Sequence, residues 1–254
     1  MAATGLLAGR VALVTGGGRG LGAAIARSFA QHGAIGAVAD LDEASAREGA
    51  PARWHALAAD VTLEEQVVAA VRETVSRCGG LDIVVANAGL VPPWRETSEL
   101  DLAEWDRIFA VNVRGVAATI KHAVPALRGQ GGSIVVTASL NSWHAHPRQG
   151  LYTATKHAVL GLVRAAALDL GRFGIRVNAL APGAVATGAL LARMTLRAEH
   201  GGPPVSDALA AAAAETALGR MVTEDDVAGA AVFLASDLST GISGALLPVD
   251  AGFA

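Results

Sequence analysis

Short apolar runs alternate with longer amphipathic stretches from one end of the chain to the other. Seven runs read as strands: Arg10 to Val14, Ile35 to Ala39, Trp54 to Ala58, Asp82 to Ala86, Ser133 to Thr137, Ile175 to Leu180 and Ala245 to Val249. They lack the inside–outside alternation of a half-exposed sheet, so both faces of the sheet are expected to be covered. Helical spacing of apolar residues marks Leu21–His32, Leu63–Arg77, Leu102–Leu127, Tyr152–Leu170 and Glu224–Leu234. Strands and helices in this order predict βαβ units and an α/β fold, a doubly wound parallel sheet with helices on both faces.

No linker, low-complexity segment or internal repeat interrupts that order, so residues 1–254 are expected to form a single domain. The one irregular stretch is Thr187 to Glu215, where Gly201, Gly202, Pro203 and Pro204 separate two helix-like pieces. It is too polar and broken for the central sheet, and 187–217 is expected to be an insertion over an active site.

Composition narrows the function classes. Apolar residues make up 52% of the 254, enough for a large core without disulfides, and Cys78 is the only cysteine. A reducing, cytoplasmic setting fits best. Charged residues reach only 17% with a net charge of −3, which leaves no basic footprint for nucleic acid or an anionic membrane. The start, Met1 to Arg10, does not read as a signal peptide, and no apolar run is long enough to span a bilayer. A small-molecule substrate is expected.

Thr15-Gly16-Gly17-Gly18-Arg19-Gly20-Leu21-Gly22 follows the first strand and opens the first helix. A pyrophosphate must approach backbone N–H groups at a helix N-terminus, and side chains there would obstruct it. Gly16, Gly18, Gly20 and Gly22, with Arg19 and Leu21 between them, are the candidate contacts. A tight strand-to-helix connection is the plainer reading of the same glycines. Asp40 closes the second strand, eighteen residues after Gly22, with Leu41 next to it. A carboxylate there can accept from both ribose hydroxyls and would repel a 2′-phosphate, which favours NAD over NADP. Arg19 pulls the other way, and Asp40 could instead cap a helix from Asp42 onward.

Ser139 ends the fifth strand, and Tyr152 and Lys156 lie four apart at the start of a helix, on one face. A tyrosine ordinarily loses its proton near pH 10, and a neighbouring ammonium is expected to lower that value. Tyr152, the only tyrosine, could then exchange a proton with a carbonyl or carbinol oxygen that Ser139 orients.

Taken together, TGGGRGLG at Thr15–Gly22, NAG at Asn87–Gly89, Ser139, YTATK at Tyr152–Lys156 and PG at Pro182–Gly183 resemble the single-domain branch of the short-chain dehydrogenase/reductase family. The resemblance runs over nearly the whole chain. It implies a Rossmann-type sheet of seven parallel strands and a catalytic tetrad of Asn112, Ser139, Tyr152 and Lys156. Asn112 would lie where a long helix opens locally, joining Lys156 to solvent. Asp60 and Val61 would meet the adenine, Asn87, Ala88 and Gly89 would pack beside the cofactor, and Pro182, Gly183, Val185 and Thr187 would hold the nicotinamide amide. Tyr152 and Lys156 would also touch the cofactor ribose. Ala86 stands where many relatives carry an asparagine. A homotetramer is implied in the same way.

The activity so implied is NAD-dependent interconversion of a secondary alcohol and a ketone. An NADPH-dependent 3-oxoacyl-carrier-protein ketoreductase and a dinucleotide sensor without chemistry are the alternatives. The four-residue spacing of Tyr152 and Lys156 disfavours an enoyl reductase. Trp94 and Trp143, with Leu90, Val91, Leu140 and Met194, flank the expected mouth and are candidate substrate contacts. His144 and His146 have no acidic or cysteine partner at a useful spacing, so no metal is expected.

Overall fold

The computed structural model describes residues 5–253. Seven strands form one sheet: β1 Val11–Thr15, β2 Ile35–Asp40, β3 His55–Ala58, β4 Ile83–Ala86, β5 Gly132–Thr137, β6 Ile175–Pro182 and β7 Leu246–Val249. All neighbours run parallel, in the order β3-β2-β1-β4-β5-β6-β7. The helices are α1 Gly20–Gln31, α2 Glu43–Gly49, α3 Glu64–Cys78, α4 Leu102–Phe109, α5 Gly115–Leu127, α6 Gly150–Leu170, α7 Gly188–Glu199, α8 Val205–Ala214 and α9 Glu224–Ala235. The expected α/β architecture is therefore present. The irregular stretch resolves into α7 and α8 on either side of its Gly-Gly-Pro-Pro break.

Side chains alternate across each strand, so one strand feeds two cores. Leu13, Val84, Ile134 and Val136 pack beneath Val71 of α3, Val116 and Ile120 of α5, and Val159 and Val163 of α6. Ala12, Val14, Val85 and Val135 face the other way, onto Ile25 and Phe29 of α1 and Val227 and Ala231 of α9. That two-sided burial is why the strands read as continuous apolar runs.

Two features refine the sequence reading. The helix weighed from Asp42 onward is the short α2, and Asp42 itself caps it, accepting from the Ser45 N–H at 2.8 Å, which leaves Asp40 free of that role. The predicted helix Leu102–Leu127 is continuous but contains a π-helical turn at Ala110–Arg114, where the Gly115 N–H reaches back five residues to the Ala110 carbonyl.

At the far edge, the Ala179 and Gly183 N–H groups donate to Ala245 and Val249, both at 2.9 Å. Alternate residues of β7 face β6, so the backbone at Pro248 faces the open side of the sheet. No helix among the described residues is long and apolar enough to cross a membrane.

Candidate active site

The strand order reverses between β1 and β4, whose last residues, Thr15 and Ala86, are paired. The loops leaving those two strands diverge and open a crevice, the usual ligand position in a sheet of this kind. Asn87 fastens the two sides together. Its amide donates to the Thr15 carbonyl at 3.1 Å and the Gly16 carbonyl at 2.8 Å, and its Oδ1 accepts from Thr137 of β5 at 3.0 Å.

Gly16 and Gly20 adopt positive φ values of 61° and 55°. A Cβ on Gly16 would come within 2.6 Å of the Ala88 Cα, so the strand-to-helix turn tolerates only glycine there. Arg19, the residue before α1, is exposed and gives the helix no side-chain cap. The first N–H groups of α1 therefore face the crevice without a protein side chain to accept them, which suits a phosphate. Asp40 ends β2 beside the loop, its Oδ2 accepting from Gly18 N–H and its Oδ1 from Leu41 N–H, each at 2.8 Å. Leu41 is exposed.

Other predicted cofactor positions line the same end of the sheet. Asp60 uses its carboxylate locally, accepting from the Thr62 N–H and hydroxyl at 2.8 and 2.7 Å, while Val61 packs on Gly115. Pro182 ends β6, Gly183 donates to Val249, and Val185 bridges to Val222. The Thr187 hydroxyl caps α7, accepting from Leu190 N–H at 3.3 Å.

The reactive groups converge at the carboxyl end of β5. Ser139 follows that strand, and Asn141 N–H donates to its hydroxyl at 3.1 Å. The Ser139 hydroxyl lies near enough to the Tyr152 phenol to favour its ionised form. Lys156, only 6% exposed, donates from Nζ to the Thr137 carbonyl at 2.8 Å, and its Nζ lies 5.6 Å from the Tyr152 ring centre. Asn112, at the centre of the π turn, clamps Leu90. Its Oδ1 accepts from the Leu90 N–H at 2.7 Å and its Nδ2 donates to the Leu90 carbonyl at 2.8 Å. A Cβ on Gly89 would lie 3.4 Å from Asn112 Oδ1 and 4.0 Å from Lys156 Nζ, which places both polar groups around that glycine.

The expected effect of lysine on tyrosine is corrected by this geometry. Burial pushes the Tyr152 phenol above its ordinary range, outweighing the nearby Ser139 hydroxyl and the positive charge of Arg193. Lys156 is itself brought down to about 8 by burial. Its ammonium is engaged with Thr137 and beside the ring, not at the phenolic oxygen.

Trp94 is half-buried beneath Arg193, and Trp143 is 43% exposed. Leu140 and Met194 are buried and Val91 is exposed. His144 and His146 pack edge-on against Phe253 at 5.6 and 5.8 Å. Sequence reasoning missed Thr137, which acts through its carbonyl, and Arg193, a polar residue on a surface helix with no motif around it.

Residues 16–254 match the family described as Enoyl-(Acyl carrier protein) reductase. The chain is 42% identical to Short-chain dehydrogenase reductase 5 of Arabidopsis thaliana, over 97% of this chain and 95% of the relative. It belongs to the short-chain dehydrogenase/reductase family. (+)-Borneol dehydrogenase 2 of Salvia officinalis is 41% identical, over 97% and 90% of the two chains. The crystal structure of carveol dehydrogenase from Mycobacterium avium in complex with NAD superposes with a TM-score of 0.91, at 35% identity over 98% and 99% of the chains. This short-chain dehydrogenase/reductase is thus an oxidoreductase with a nicotinamide dinucleotide cofactor. Its uncapped α1, its side-chain-free glycine turn and the acceptor at Asp40 fit such a group.

Proposed function

We propose that this enzyme interconverts a secondary alcohol and a ketone with NAD(H), through Ser139, Tyr152, Lys156 and Asn112. The observation that carries the reading is the half-buried Tyr152 at the start of α6, with the Ser139 hydroxyl of the β5 end and the Lys156 ammonium beside it. A bound nicotinamide dinucleotide supplies the two-electron exchange, taking or giving hydride at the substrate carbon. Ser139 donates a hydrogen bond to the substrate oxygen and fixes it against the phenol. In the reducing direction the Tyr152 phenol, which burial keeps protonated, gives its proton to the new alkoxide, and oxidation runs the same transfer backwards. Lys156 keeps a positive charge next to the ring. Asn112 holds the Leu90 loop beside that lysine and opens the helix where a proton could pass to solvent.

Relatives named for borneol and carveol support an alcohol as substrate. The choice of NAD rests on Asp40, which projects a carboxylate at the loop where a 2′-phosphate would otherwise lie. The 187–217 insertion is read as the substrate loop, because α7 brings Arg193 over the cleft that contains Tyr152.

The test is Tyr152→Phe. Turnover of alcohols and ketones should fall at least ~10²-fold, the scale of a lost general acid–base group, while NADH binding by fluorescence stays near wild type. A variant with wild-type rates would sink the assignment. A dinucleotide sensor would instead bind NADH and consume none across a panel of ketones.

A further inference from the structure

Among the charged groups of the cleft that the proposed chemistry does not use, Arg193 is the one that no carboxylate of the described residues pairs. It lines the same cleft as Tyr152, together with Arg95, Glu104 and Arg148. Its guanidinium lies over the Trp94 ring at 4.0 Å from the centre, with Arg197 above the same ring at 5.4 Å. Stacking occupies a face of the guanidinium and leaves its edge N–H groups to find acceptors. Among the described residues they find no protein acceptor: Arg193 Nε is buried and unpartnered, and Arg193 forms no ion pair.

The carboxylates nearby are committed elsewhere. Glu104 lies 3.2 Å from Arg95 and 4.0 Å from Arg107, and Glu96 lies 3.8 Å from Arg148. Burial also lowers the Arg193 pKa from its ordinary value, with Tyr152 pulling it back up. Arg193 as a whole is half-buried, but a buried N–H such as its Nε is costly without an acceptor, and it persists where a ligand completes it.

We propose that Arg193 is a substrate-binding residue that recognises a carboxylate, so that the enzyme acts on oxo acids and their hydroxy acids. The ketone or carbinol oxygen sits at Tyr152 and Ser139, and the carboxylate takes the open edge of the guanidinium in a side-on, two-point contact. This rests on the dehydrogenase reading of Tyr152 and names its substrate class. Trp94 becomes the plate that holds the guanidinium in one orientation.

Two matched pairs test it with NADH: 4-acetylbenzoate against its methyl ester, and levulinate against its methyl ester. The acid of at least one pair should be reduced with a kcat/KM at least tenfold above its ester. Arg193→Met should erase or invert that ratio, and Arg193→Lys should restore part of it. A binding arm uses 4-isopropylbenzoate, which has no ketone. By calorimetry it should bind wild type at least tenfold more tightly than its methyl ester does, and lose that margin in Arg193→Met. If esters react and bind as well as acids in every pair, or the ratio survives Arg193→Met, the carboxylate proposal is overturned and the dehydrogenase reading stands. If the acid binds through Arg193 but no ketone is reduced, the anion site stands and the dehydrogenase reading falls.

Discussion

Burial moves the two titrating groups of the site in opposite directions, keeping the Tyr152 phenol protonated and weakening the hold of Lys156 on its proton. The lysine value drops from 10.5 to about 8, so between those two pH values the unfolded chain binds more protons than the folded one. Stability then rises with pH through that window, and the burial cost is fully present below pH 8. Compared with Lys156→Met, the cofactor-free wild type should gain up to about 1 kcal/mol per pH unit between pH 8 and 10, read from urea unfolding. A flat difference would show that the ammonium is solvated. Asp40 supports a second prediction at this scale. Wild type should bind NADH at least tenfold more tightly than NADPH, and Asp40→Ser should narrow that gap, as measured by fluorescence titration. Tighter NADPH binding by the wild type would refute the role given to the carboxylate.

The π turn shows what one element adds that no single residue could. Asn112 satisfies both the donor and the acceptor of Leu90, so Asn112→Ala leaves two backbone groups without partners. The cost should be about 2 kcal/mol in chemical unfolding, with a loss of activity beyond it. An unchanged midpoint would mean that the loop finds other bonds. The helix itself was legible, because Ile108, Val116, Ile120 and Ala123 hold the apolar spacing, but its extra residue per turn was not, since a π turn changes hydrogen-bond register without changing residue type. The short helix α2 was legible only at its start near Asp42, because Glu43–Gly49 buries only Ala46 and Gly49, too few positions to set a period. Thr223 at the head of α9 follows the simplest rule, a reciprocal cap with Asp226, and Thr223→Ala should cost about 1 kcal/mol. A smaller loss would mean that Arg220, which also pairs with Asp226, carries that end of the helix.

Across the whole molecule, the pattern of apolar runs was enough to anticipate a sheet buried on both faces. The glycine turn, Asp40, Ser139 and the Tyr152–Lys156 pair were legible because each sits at the end of a strand or the start of a helix, where local sequence fixes position. Arg193 was not legible, because its meaning comes from α7 folding back over Trp94 and from carboxylates that are engaged elsewhere. The outer border of the sheet carries one more consequence. At Pro248 the ring nitrogen has no hydrogen to offer on the open side of β7. A neighbouring copy that extended the backbone ladder along this rim would meet a gap there, so side chains have to carry more of any assembly here, which leaves it adjustable by surface substitution.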